Sequence, residues 1–192
     1  MHTERQWLQA KIILFERYDR ELSEADKAAV FGAADLQSVT YFAGRFGLPP
    51  ERIADLQGEY LDIIGGLIDR GVDLTEGSVE LVERISRSVP VALASNTRRG
   101  LVDKVLAQTP FAPHLDAIST GDEVAPKPAP DVYLLACERL GVDPASAVAV
   151  EDSPTGVRAA HAAGLTCIGV PSNPTEPLAE ADLAVASLAE LL

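Results

Sequence analysis

From residue 75 onward the chain alternates short apolar runs with amphipathic stretches, and this alternation restricts the fold more than any other feature. "VPVALAS" (89–95), "LDAIS" (115–119), "SAVAV" (146–150) and "LTCIGV" (165–170) read as strands, with "DLAVAS" (182–187) a weaker last one. Helical periodicity occupies 77–88, 99–108, 129–140 and 154–163. Strands separated by helices of about 10–12 residues make βαβ units, because a parallel neighbour is reached only through a crossover. The pattern predicts an α/β fold, a Rossmann-like parallel sheet with helices on its faces.

Residues 4–70 carry a different period. Leu8, Ile12 and Phe15 share one helical face, as do Leu36, Val39, Ala43 and Phe46. Ser23 with Asp26 has the spacing of a capping box. "GLPPER" (47–52) ends one helix and starts the next with proline in its first turn. No strand-like alternation precedes "IIGGLIDRGVDL" (63–74), whose glycines lead out of the helical block. The expected division is an all-helical domain over 1–73 and an α/β core over 74–192, with no internal repeat.

Composition narrows the function. With 192 residues and a net charge of −13, the chain offers no basic patch for nucleic acid or an anionic membrane. No apolar run approaches the ~20 residues that span a bilayer, and no signal-peptide pattern opens the chain, so a cytoplasmic location is expected. Cys137 and Cys167 fit buried, reduced thiols, too few for a disulfide framework or a zinc site. His2, His114 and His161 show no ligand spacing, and Trp7 reads as a core or hinge residue.

Candidate chemistry gathers where strands stop. In open α/β sheets the ligand crevice lies beyond the carboxyl ends of the strands. The first strand runs into Ser95, Asn96 and Thr97, a hydroxyl and backbone N–H groups at a helix start, which suits an anion. Lys127 stands between Pro126 and Pro128 just before a helix, where it can neutralise a phosphate oxygen. Glu151 and Asp152 close the third strand, and carboxylates held there suit a hard cation such as magnesium. Singly, each has an ordinary explanation: a helix cap, a solvated lysine, an acidic surface pair. Together, on successive βα units and in this order, they are far more specific.

In this arrangement the chain resembles the haloacid dehalogenase superfamily of phosphohydrolases, in the helical-cap branch that includes phosphoglycolate phosphatases and beta-phosphoglucomutases. "LASNT" is similar to that family's second motif, "KPAPDVYLLA" to its third and "VEDSPTGVRAAHAAG" to its fourth; the first helical half resembles its cap. The resemblance implies that Ser95 and Asn96 bind the phosphoryl group and that Lys127 neutralises charge on it. It further implies that Asp152 ligates Mg²⁺, with Glu151 beside it as support or ligand. The implied activity is magnesium-dependent hydrolysis of a small phosphorylated metabolite through an aspartyl-phosphate. A sugar-phosphate mutase, or a non-catalytic phosphate- or partner-binding protein, is the alternative. A dehalogenase, which needs no magnesium, leaves Glu151 and Asp152 idle.

One family feature is missing. The first motif, a strand ending in Asp-x-Asp-Gly that supplies the nucleophile and the general acid-base, occurs nowhere in the 192 residues. Neither "YDRELSEAD" (18–26) nor Asp122 in "TGDEVA" replaces it convincingly. The expectation is a chain without turnover: either it starts at an internal Met, with ~15–25 further residues upstream in the natural protein, or it has lost catalysis. The family places that strand between those ending at Ser95 and Glu151. These two are therefore expected to pair directly, to borrow a strand from another molecule, or to leave the fold poorly stable. The oligomeric state stays open.

Overall fold

The computed structural model describes residues 4–30, 33, 35–171 and 178–192; His2 lies outside them. The chain divides into two units, Met1–Asp73 and Leu74–Leu192.

The first unit is helical: α1 (Glu4–Arg17), α2 (Glu24–Ala29), α3 (Asp35–Phe46) and α4 (Ile53–Ile68). Phe15, Phe42 and Tyr60 are fully buried, with Phe15 edge-on to Phe42 at 5.2 Å and Phe42 edge-on to Tyr60 at 5.8 Å. Trp7 packs edge-on against Tyr60 at 5.9 Å, a core role. Of the expected face on α1, Phe15 is buried but Leu8 and Ile12 stay 41% and 39% exposed, while Ala10 and Leu14 are buried beside Phe15. Which apolar side chains are covered depends on the face α1 turns to α4, its main packing partner.

The Ser23 capping box forms as expected, and its acid does more than cap α2. Asp26, 1% exposed, accepts from Arg45 Nε at 2.6 Å, Tyr41 Oη at 2.8 Å and Ser23 Oγ at 2.6 Å. This ties α2 to α3. The Arg45 guanidinium, helped by the Ser23 and Tyr41 hydroxyls, holds the carboxyl well below the usual carboxylate range against the opposing effect of burial. A depressed folded-state pKa stabilises above the unfolded value of about 3.9 and is lost as pH falls below it. Asp26→Asn is expected to cost about 2 kcal/mol at neutral pH and to flatten the loss of stability on acidification. Urea unfolding of both chains at pH 7 and pH 3 checks this; equal acid sensitivity contradicts it.

The second unit runs α5 (Ser78–Ile85), β1 (Ala92–Ser95), α6 (Arg99–Leu106), β2 (Ala117–Thr120), α7 (Asp131–Leu140), β3 (Val148–Glu151), α8 (Pro154–Ala162), β4 (Thr166–Gly169) and β5 (Leu183–Ala184). All pairings are parallel, as the alternation predicts. β1 starts three residues later than expected, past Pro90, which has no N–H for a ladder. The last strand shrinks to two residues. Helix α7 packs on β1 and β2, and α8 on β3 and β4. Val132, Tyr133, Ala149, Val157 and Cys167 form the core between α7, α8 and the sheet. Both cysteines are free and buried, and burial pushes the Cys167 thiol up to about 11.

The strands do not make one sheet. Among the described residues β1 pairs only with β2, and β3–β4–β5 is separate. Direct pairing of β1 with β3, one of the expected outcomes, therefore does not occur. Val91 O bonds to the β2 side, and Ala147 O and Glu151 O bond to the β4 side. Backbone groups alternate along a strand, so those of Ala92 and Ala94 face away from β2 and those of Val148 and Val150 away from β4. Val148 and Val150 are 59% and 45% exposed. Val150, Ile168 and Leu183 share a register row, leaving an apolar row on one sheet face.

Candidate functional site

The end of β1, the loop before α7 and the end of β3 converge on Lys127. Its backbone is clamped by one side chain: Lys127 N donates to Asn96 Oδ1 at 2.6 Å, and Asn96 Nδ2 donates to Lys127 O at 3.1 Å. Gly121 lies so close to this loop that a Cβ there would meet Asn96 O at 2.5 Å. The Lys127 ammonium donates to Ala94 O at 3.1 Å, to the Tyr133 hydroxyl at 3.3 Å and to Glu151 Oε1. It also lies 4.7 Å from the Tyr133 ring centroid. Tyr133 donates its own proton to Glu151 Oε1.

Glu151 is turned inward, its side chain 6% exposed against 11% for Lys127. Room for it comes from Gly156 in the first turn of α8, where a Cβ would fall 1.8 Å from Glu151 Oε2. Ser153 caps that helix, its Oγ accepting from Gly156 N at 3.1 Å, with Pro154 in the first turn. Burial, reinforced by the Glu151 charge, raises the Tyr133 phenol far above its ordinary value, so it stays protonated.

Lys127, Asn96 and Glu151 therefore meet in one polar cluster, with Ser95 half-buried on the adjoining turn, its Oγ accepting from Thr97 N at 3.1 Å. Asp152 follows β3 and is exposed. Among the described residues no group of three or more His, Cys, Asp or Glu side chains is arranged to hold a metal. The start of α6, expected as an anion cradle, already has an acceptor: Asp122 Oδ1 takes the Arg99 N–H at 3.0 Å. Asp122 thus caps a helix. Glu123 fastens the same loop, accepting from Thr120 N and Oγ1 and pairing with Arg139, which holds its carboxyl down at about 2.

Sequence reasoning missed Tyr133, Gly156 and Glu123. Tyr133 reads as one more apolar position of α7, and only its spatial partners give the hydroxyl a role. Gly156 had a signal, a glycine inside a helix opening directly after two carboxylates.

A parallel α/β core with an ammonium and a buried carboxylate paired where its strands end defines a Rossmann-like fold. Residues 3–164 match the model of the haloacid dehalogenase-like hydrolases, and the chain belongs to that family. It is 41% identical over 133 residues to Protein CbbY of Rhodobacter capsulatus, covering 65% of this chain and 57% of that protein. It is 33% identical over 93 residues to the fructose-1-phosphate phosphatase YqaB of Escherichia coli (strain K12), covering 48% and 50%. The crystal structure of CbbY from Rhodobacter sphaeroides in complex with phosphate matches with a TM-score of 0.87 at 30% identity, over 99% of this chain and 90% of that one. A beta-phosphoglucomutase from Clostridium difficile shares the fold, with a TM-score of 0.84 at 20% identity over 99% and 87%. The chain spans 57%, 47% and 56% of three curated relatives, about half their length.

Proposed function

We propose that this chain carries the phosphate-handling machinery of a magnesium-dependent phosphohydrolase acting on a small phosphorylated sugar or similar metabolite. The observation that carries the reading is the Lys127 ammonium, which bonds the Ala94 carbonyl of β1 and Glu151 at the end of β3, its backbone clamped by the Asn96 side chain. A relative named for fructose 1-phosphate, and a CbbY structure holding xylulose-(1,5)bisphosphate, support this substrate class.

In this reading Lys127 neutralises the transferring phosphoryl group, while the Ser95 hydroxyl and the Asn96 amide orient it. The helical unit, by its resemblance to the family's cap, is assigned substrate selection. Asp152 suits one oxygen ligand of magnesium, which when bound supplies charge neutralisation at the phosphoryl oxygens. Glu151 is already shared by Lys127 and Tyr133, so the chain offers the cation one exposed carboxylate, and weak affinity follows. Among the described residues no carboxylate stands ready as nucleophile, so in this reading the 192 residues by themselves lack turnover.

Titration with inorganic phosphate, followed by backbone amide NMR with and without millimolar magnesium, tests the site. Perturbations centred on residues 95–97, 127 and 152–156 are expected. Their absence at tens of millimolar phosphate, or their appearance on another surface, contradicts the assignment.

A further inference from the structure

The Lys127 ammonium has three protons and three protein acceptors: the Ala94 carbonyl, the Tyr133 hydroxyl and the Glu151 carboxylate. With the side chain 11% exposed, water has little access. The cation is saturated, so an anion can reach it only by displacing one of these partners. They are unequal. Glu151 is charged, and a charge-assisted bond is the hardest to give up. The Ala94 carbonyl, on the β1 edge turned away from β2, lies at 3.1 Å. The Tyr133 hydroxyl is neutral and is the most distant of the three at 3.3 Å.

We propose that Tyr133 is a positioning residue that keeps Lys127 closed at rest: its hydroxyl occupies the third ammonium proton and yields it to an entering phosphate oxygen. The phenol keeps its proton and goes on donating it to Glu151 throughout, so the carboxylate keeps a donor while the lysine turns toward the anion. No bond to hydrogen breaks; one acceptor replaces another. The inference rests on the anion-site reading above and adds a residue that sets the strength of phosphate capture.

Tyr133→Phe removes the hydroxyl, with its bonds to the ammonium and to Glu151, and keeps the ring, so it separates the hydroxyl from the ring that lies 4.7 Å from the ammonium. In the full chain, the ¹⁵N signal of Lys127 Nζ is recorded without ligand, and inorganic phosphate is then titrated by calorimetry. Removing the hydroxyl is expected to shift that signal and speed its exchange with water. Phosphate should bind about tenfold more tightly, the worth of one hydrogen bond from a charged donor no longer displaced. An unmoved Nζ signal, or equal or weaker phosphate binding, overturns the proposal. A moved signal with no phosphate binding by either chain overturns the anion-site reading, and the handover with it. Should the variant not fold, ¹³Cζ-labelled tyrosine in the unaltered chain decides: the Tyr133 signal shifts on phosphate addition, or the proposal fails.

Discussion

The 192-residue chain is expected to hydrolyse a generic phosphomonoester in millimolar magnesium at less than about a thousandth of the rate of the same chain extended by an Asp-x-Asp-Gly strand ahead of Met1. Ser95, Asn96 and Lys127 can hold and neutralise a phosphoryl group, but transfer through an aspartyl-phosphate needs a carboxylate that attacks. The nearest candidate, Asp122, is bonded to the first amide of α6. The extension is expected to act on the fold as well. The outward backbone groups of Ala92 and the N–H of Ala94 on one side, and the outward groups of Val148 and Val150 on the other, are the edges an added parallel strand would pair, the Ala94 carbonyl being bonded to Lys127. Each such group costs ~1–3 kcal/mol if buried and unsatisfied, so the extended chain should melt at a clearly higher temperature. Parallel turnover and thermal-unfolding measurements on the two chains check both points. Comparable turnover by the short chain means that another carboxylate, Asp122 foremost, has taken the nucleophile's place.

Lys127→Met is expected to destabilise the α/β unit by ~3–5 kcal/mol, a large part of the ~5–15 kcal/mol that holds a typical domain. The cause lies in what is left behind: a Glu151 carboxylate 6% exposed, with the Tyr133 hydroxyl as its remaining side-chain donor. Restoring neutrality reverses the effect, so Lys127→Met combined with Glu151→Gln should recover most of the loss. Urea unfolding of the single and double variants measures the coupling directly. A single variant costing less than about 1 kcal/mol shows that the pair is solvated and that Lys127 is not held closed.

Much of this was legible along the chain. Alternating apolar runs and helical stretches predict parallel βα units because strand and helix periods are local, and the polar clusters fall at strand ends because loops begin there. The Ser23–Asp26 box and the Ser153-Pro154 helix start are likewise readable, since each is completed within three residues.

What the sequence by itself determined, then, are features whose partners lie within a turn or one βα unit: element type, order, the local caps, and the positions of Ser95, Glu151 and Asp152 at strand ends and of Lys127 before α7. Tertiary structure alone decided which apolar side chains of α1 are buried, that β1 and β3 stay in separate sheets, and that Glu151 turns inward to Lys127 and Tyr133. The reason is physical. Tyr133 and Glu151 are 18 residues apart and Lys127 and Ala94 are 33 apart. A side chain's choice among distant acceptors follows from burial and packing that no local period encodes.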